Sequence, residues 1–163
     1  MEATFSLWAD ARWHLTRQGI SYVFVYIGVV SVIAQGGVVG RLVPRIGAGR
    51  AAVLGIALIA SGLALSAIAP TLPLLFAPLA LIAFGHGTAS PSLSTLISHQ
   101  GGPDEQGRLL GVNQSLSALG RVVGPVWGGL ALAHVGLSAP FLSAAALAFA
   151  AAALLAMGVG AAA

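Results

Sequence analysis

From Ala51 to Pro103 the chain carries no charged side chain, and from Val122 to Ala163 it again carries none. Runs of that length decide the solvent. Soluble domains carry charge on about a quarter of their residues, whereas here 7% are charged and 58% are hydrophobic. A helix needs roughly 20 apolar residues to cross a bilayer. The first run therefore holds two helices, with the turn between them at Ala69-Pro70-Thr71-Leu72-Pro73. The second is punctuated by His134, Gly136 and Pro140. Transmembrane strands would need only about 10 alternating residues each, and these runs are longer and rich in glycine. The expected fold is an all-α integral membrane bundle, with full spans at about 19–40, 51–69, 73–98, 109–133 and 138–160. Residues 1–18 read as the tail of a truncated helix and an outer loop, and residues 1–163 as a single transmembrane bundle.

The net charge of +3 does not point to nucleic acid, because the arginines are scattered at span ends without forming a basic stripe. With no cysteine there is no disulfide, thiolate metal site or thiol nucleophile. Arg41, Arg45 and Arg50 in one connection, and Arg108 in another, outnumber Arg12 and Arg17 on the opposite side. Positive charge favours the inner face, so residues 41–50, 99–108 and the C-terminus are expected in the cytoplasm. An odd number of spans behind an outer N-terminal flank implies a further helix upstream. Trp8, Trp13 and Tyr22 read as interfacial anchors.

The spans differ in polarity. The first carries Tyr22, Tyr26, Ser31 and Gln35; the third carries His86, Thr88, Ser90, Ser92, Ser94 and Thr95 around Pro91; the fourth carries Asn113, Gln114, Ser115, Ser117 and Arg121. The second and fifth hold nothing more polar than serine. Polar intramembrane residues face a bundle interior or a wet cavity. The first, third and fourth spans should therefore surround that cavity, and the second and fifth should face lipid.

The fourth span is the most informative. Gly111, Gly120, Gly124, Gly128 and Gly129, with Pro125, punctuate its apolar run. Glycines four apart bare one face of a helix for close approach by a neighbour, and proline removes a backbone hydrogen bond. The row therefore reads as a packing face or a pivot. Arg121 costs about 2.5–3.5 kcal/mol to insert at mid-bilayer, and no span offers it a carboxylate. It reads as an anion or pathway site, or as a contact to something outside the chain; the alternative is an arginine bonding backbone carbonyls and water to hold the bundle. Gln114 and Ser117, seven and four residues before it, share its face and either extend a polar pathway or bond between helices. His86 is a candidate proton carrier, since imidazoles exchange protons near neutral pH. His14, His86, His99 and His134 show no metal-ligand spacing, so no metal or cofactor is expected.

These features resemble the C-terminal half, from the end of helix 7 to helix 12, of a major facilitator superfamily transporter of the drug:proton antiporter type. The pattern Gly111-x8-Gly120-x3-Gly124-Pro125-x2-Gly128-Gly129 is similar to that group's antiporter motif, which belongs chiefly to the fifth helix and recurs in the eleventh. The stretch Gly40 to Arg50, with Arg41, Arg45, Gly47 and Arg50, resembles the family's basic cytoplasmic loop. Pro44 stands where that loop's 2–3 form has aspartate, which favours the weaker 8–9 copy. Gly85 to Ser94, with Pro91, resembles a tenth helix.

The resemblance implies a secondary transporter segment in a bacterial cytoplasmic membrane, effecting proton-coupled efflux of small amphipathic molecules. Arg121, Gln114, Ser117, His86 and Gln35 would line its pathway. It would be incomplete alone, its partners being the lipid bilayer, a small-molecule substrate, and a missing N-terminal half or another copy. The alternative is a non-transporting membrane remnant or a subunit pairing with another half. An intramembrane enzyme is disfavoured: Ser90 lies four residues after His86, yet no orienting carboxylate, GxSxG elbow or HExxH motif accompanies them.

Overall fold

The computed structural model describes residues 2–99, 102 and 105–161, nearly all of them helical. Asp104, which ends the first charge-free run, lies outside them, as does most of the 100–104 connection. The order is α1 (Glu2–Trp13), α2 (Arg17–Ile33), a π-helical segment (Ala34–Val39), α3 (Gly40–Ile46), α4 (Ala48–Ile68), α5 (Leu72–Ser98), α6 (Gln106–His134) and α7 (Ala139–Ala161). Five stretches are long and apolar enough to cross a membrane: Arg17–Gly37, Ala48–Ile68, Leu72–Ser98, Gln106–His134 and Ala139–Gly160. The fold is an all-α membrane bundle.

Local chemistry sets the helix ends. Thr16 caps α2, its hydroxyl accepting from the Gly19 amide at 3.3 Å. Pro73 sits in the first turn of α5, where its missing N–H is harmless. The basic stretch 40–50 is not the loop that its sequence suggests. α2 runs through the π segment and α3 as far as Ile46, with Pro44 inside the helix. The only non-helical residue before α4 is Gly47, at φ 81° and ψ 155°, backbone angles that are essentially glycine-only. Arg41, Arg45 and Arg50 are therefore helical residues flanking one sharp corner.

Inside a bilayer apolar burial gives helices little reason to associate, so close van der Waals contact and hydrogen bonds must hold them. The tightest seam lies between α4 and α5. A Cβ built on Gly55 would meet the Ala89 amide nitrogen at 2.6 Å and the Gly85 carbonyl oxygen at 2.8 Å; one on Gly85 would meet the Gly55 carbonyl at a comparable distance. One turn pair along, a Cβ on Gly62 would lie 2.7 Å from the Pro78 carbonyl. Backbone rests on backbone at both places. α7 packs on another side of α4, where a Cβ on Gly49 would lie 2.9 Å from Val159. α4 thus buries Ala51, Ala52, Gly55, Ala60, Gly62 and Leu63, while Leu54, Leu65 and Ile68 form a bare apolar face.

The buried hydroxyls need no neighbour. Ser66, Thr88 and Ser92 donate to the carbonyls of Gly62, Phe84 and Thr88 in their own helices, at 2.7–2.8 Å. Thr88 and Ser92, two of the groups expected to face a wet cavity, are instead packed inside the bundle.

One end of the bundle is tied off by α1. Trp8 is fully buried, with Phe141 at 4.5 Å and Trp13 at 4.9 Å between ring centroids. Its interfacial-anchor reading is overturned, because α1 turns Trp8 into the bundle against Phe141 of α7. Arg12 lies over the Trp8 and Trp13 rings and donates from Nη2 to the Ala69 carbonyl at 2.8 Å. Ser138 donates to the Ala67 carbonyl at 3.1 Å. The α1 end, the α4–α5 turn and the α6–α7 turn therefore meet at the same end.

Candidate functional site

Two of the sequence-predicted pathway residues, Gln35 and His86, lie on elements that pack together, the π segment and α5. The π segment carries Gln35 across α5 at Gly87, where an added Cβ would meet Gln35 Cγ at 3.2 Å and Ala34 Cβ at 3.6 Å. Gly87 is buried, whereas its neighbour His86, Ser90 one turn on, and Gln35 itself are exposed. A π turn widens the helix and re-aims the side chains beyond it, and such turns recur at functional sites. Here it is the segment that lays Gln35 against Gly87, the residue after His86 in α5. Tyr26 steadies the same pair of helices: its hydroxyl donates to the Phe76 carbonyl at 3.1 Å, and the two rings meet edge-on at 4.8 Å.

Arg121 lies elsewhere, midway along α6. The helix has 29 residues, about 43 Å at 1.5 Å per residue, and exceeds the roughly 30 Å hydrocarbon core. Arg121 is about 20 Å from either end and therefore at membrane depth. Gln114, Ser117 and Arg121 are all exposed and follow one stripe. Among the described residues Arg121 makes no hydrogen bond or ion pair.

α6 is held mainly through its C-terminal half. Gly128 and Ala131 are its buried residues, and Trp127 Nε1 donates to Ser143 Oγ of α7 at 3.1 Å. Earlier in the helix, Leu116, Leu119, Val122 and Val126 are each more than half exposed. A Cβ at Gly111, Gly120, Gly124 or Gly129 would meet nothing within 4 Å. Among the described residues Gly111, Gly120, Gly124 and Gly129 therefore have no neighbouring helix against their bare backbone, whereas Gly128 is buried. Pro125 and Pro91 sit inside unbroken α6 and α5, with Pro91 exposed.

The glycines that do admit a neighbour include Gly49, Gly55, Gly62 and Gly85, which the polarity pattern of the sequence does not mark as packing positions. Their signal was present as small residues spaced at helical intervals along the second span, Ala51, Ala52, Gly55, Gly62 and Ser66. That span was read for polarity alone. The basic corner brings Arg41, Arg45 and Arg50 to one end of the bundle; Arg41 donates to the Gly37 carbonyl at 2.9 Å, and Arg45 and Arg50 are exposed.

Comparison with known proteins agrees with this architecture. The sequence profile of the Major Facilitator Superfamily matches residues 3–161. Major facilitator superfamily domain-containing protein 10 of Mus musculus is 34% identical over 127 residues, which is 77% of this chain and 27% of that protein. Tetracycline resistance protein, class C, of Escherichia coli is 33% identical over 115 residues, 71% of this chain and 28% of that protein. A crystal structure of the human organic anion transporter MFSD10 (TETRAN) superposes with a TM-score of 0.86 at 26% identity, covering 93% of this chain and 35% of that one. The chain thus spans about a quarter of the length of these curated relatives. Family membership removes the enzyme alternative, since the family's members carry solutes and do not transform them. With five apolar spans, glycine-seamed packing and a profile match along nearly its whole length, this integral membrane chain belongs to the Major Facilitator Superfamily.

Proposed function

We propose that the chain is a segment of a secondary active transporter, the C-terminal half of a drug:proton antiporter-type machine. It would serve proton-coupled efflux of small amphipathic molecules from the cytoplasm across a bacterial cytoplasmic membrane. The observation that carries this reading is the exposed Gln114–Ser117–Arg121 stripe at mid-helix depth on α6, beside an open glycine row. A cation kept at that depth is expensive unless it has work to do. Transporters of this class bind substrate near the midplane between two halves that rock against each other. The bared glycines and Pro125 suit a face against which another half slides, and Gln35 with His86 supplies a second polar point, His86 being the candidate proton carrier.

The substrate would be an amphipathic anion or zwitterion, whose charge complements Arg121. Relatives described as an organic anion transporter and as a tetracycline resistance protein support that class. The test is co-expression of the chain with a major facilitator N-terminal half in efflux-deficient cells, following accumulation of a fluorescent amphipathic anion. Paired wild-type chain should lower accumulation, the chain alone should not, and Arg121→Ala should abolish the effect at unchanged protein level. Full efflux with Arg121→Ala would remove the pathway role.

A second reading is a non-transporting subunit that pairs with another half. The exposed, unpacked stretch of α6 before Gly128 would suit a face that such a half covers. Co-purification with the partner half, without any change in dye accumulation, is the result that would select it.

A further inference from the structure

A groove of about 400 Å³ runs along the outer seam of α4 and α7, away from any residue assigned to transport. Arg50, Val53, Leu54 and Ala57 line it from α4, at helical spacings i, i+3, i+4 and i+7; Ala156 and Val159 line it from α7. Its wall is apolar except at one end, where Arg50 stands. Gly49 shapes that end, because the close approach of Val159 leaves no room there for a side chain.

From this geometry we infer that the groove is a binding site for an anionic diacyl phospholipid of the surrounding bilayer. Arg50 holds the phosphate, and one acyl chain lies along the seam. Three observations converge. Arg50 is exposed and has no hydrogen-bond or ion-pair partner among the described residues. It sits in the first turn of α4, whose N-cap residue Gly47 provides no side-chain hydrogen bond, so the uncapped amides and the positive end of the helix dipole add to its charge. Arg41 and Arg45 lie at the same corner, and the described acidic side chains, Asp10 and Glu105, are not among the groove's lining residues.

The apolar stripe from Arg50 to Ala57 descends about 10 Å, roughly a third of the hydrocarbon thickness. Charge at the interface with an apolar track running inward is the shape of a lipid held by its headgroup. Basic pockets between membrane helices take such headgroups. A soluble anion would use Arg50 and leave the track empty, and a neutral lipid would use the track and ignore Arg50.

The test uses the chain delipidated in dodecyl maltoside, with lipid retention read by native mass spectrometry. Phosphatidylglycerol should be retained about fivefold better than phosphatidylcholine of the same acyl composition, the factor expected of one arginine near a membrane surface. Arg50→Gln should erase that preference, and Arg108→Gln, at an exposed arginine outside the groove, should keep it. Ala156→Phe should fill the track and reduce retention of both lipids with every charge intact. Arg50 and Ala156 are both exposed, so neither change disturbs a packed contact. Equal retention by wild type, Arg50→Gln and Ala156→Phe would overturn the proposal. So would equal loss with Arg108→Gln, which would reduce the effect to surface charge, or displacement of the lipid by soluble glycerol phosphate, which would make the site a free-anion site.

Discussion

The seam between α4 and α5 makes a sharp quantitative prediction at Gly55. Replacing it with alanine adds one methyl group, which lands 2.6 Å from the Ala89 nitrogen, 2.8 Å from the Gly85 oxygen and 2.9 Å from the Ala89 Cα. All three are backbone atoms, so no rotamer relieves the clash. Carbon contacts are comfortable at about 3.5–4.0 Å, and opening a contact by 0.5–1 Å forfeits about a quarter to a half of its dispersion energy. The helices must part by roughly 1 Å at this point, loosening the contacts on either side. Overpacking of this kind costs about 1–3 kcal/mol, while alanine returns at most about 1 kcal/mol through helix propensity. With three backbone atoms in the way the cost falls in the upper part of that range, about 2–3 kcal/mol, and the expected net loss is about 1–2 kcal/mol. The matched control is Gly28→Ala in α2, where an added Cβ would meet nothing within 4 Å and only the propensity gain remains. The assay is reversible unfolding in mixed dodecyl maltoside and SDS micelles, followed by far-ultraviolet circular dichroism. If Gly55→Ala proves as stable as wild type, or Gly28→Ala loses as much, glycine-mediated backbone contact does not hold this bundle.

Three further outcomes follow from the same geometry. Gly124→Leu should not lower the unfolding midpoint of the isolated chain and should raise it slightly through helix propensity, because the site is open, and yet abolish dye efflux by the chain paired with an N-terminal half; a drop in stability of the isolated chain would refute the unpacked face. Gly47→Ala, at φ 81° and ψ 155°, should cost about 1–3 kcal/mol in the unfolding assay, the strain of a non-glycine residue in that region, and a neutral result would mean that the corner rearranges freely. Arg12→Ala removes a charged hydrogen bond to the Ala69 carbonyl, worth about 1.5–3 kcal/mol; Arg12→Lys should recover only part of this because lysine lacks the planar fork that stacks on Trp8 and Trp13, and full recovery would argue against the stacked geometry.

The helical fold class was legible because charge-free length is a solvent argument that needs no knowledge of tertiary contacts. The corner at 40–50 was not. Pro44 and clustered arginines look like a connection when read locally, yet proline is tolerated in a helix whose hydrogen bonding is already shifted by the π segment at Ala34–Val39. Trp8 was misjudged for a related reason. An aromatic near a span end reads as an anchor until another element covers it, and that cover is Phe141, distant in sequence, with Trp13 of the same helix beside it. Sorting by polarity failed for the second span, expected to face lipid, because small residues let α4 pack between α5 and α7, and it failed for hydroxyls. Thr88 and Ser92 satisfy themselves on their own helix, so they carry no information about a wet cavity. Gln35, Gln114 and Arg121 make no such local bond among the described residues and are exposed.

Glycine appears in this chain in two physically different situations, and the difference separates folding from function. On α4 and α5 the bared backbone is filled by another backbone of the same chain, so those glycines stabilise the bundle whether or not anything is transported. On α6 the bared backbone is empty from Gly111 to Gly124 and is flanked by Arg121, whose charge finds no partner among the described residues. A helix about 43 Å long is packed through Gly128, Ala131 and Trp127 and is largely exposed before them. Its exposed part carries the charge and the small residues together. The close contacts that join α4 to α5 and to α7 are therefore of a kind that α6 does not make at Gly111, Gly120 or Gly124 among the described residues, and a glycine there is to be judged by function rather than by the stability of this bundle.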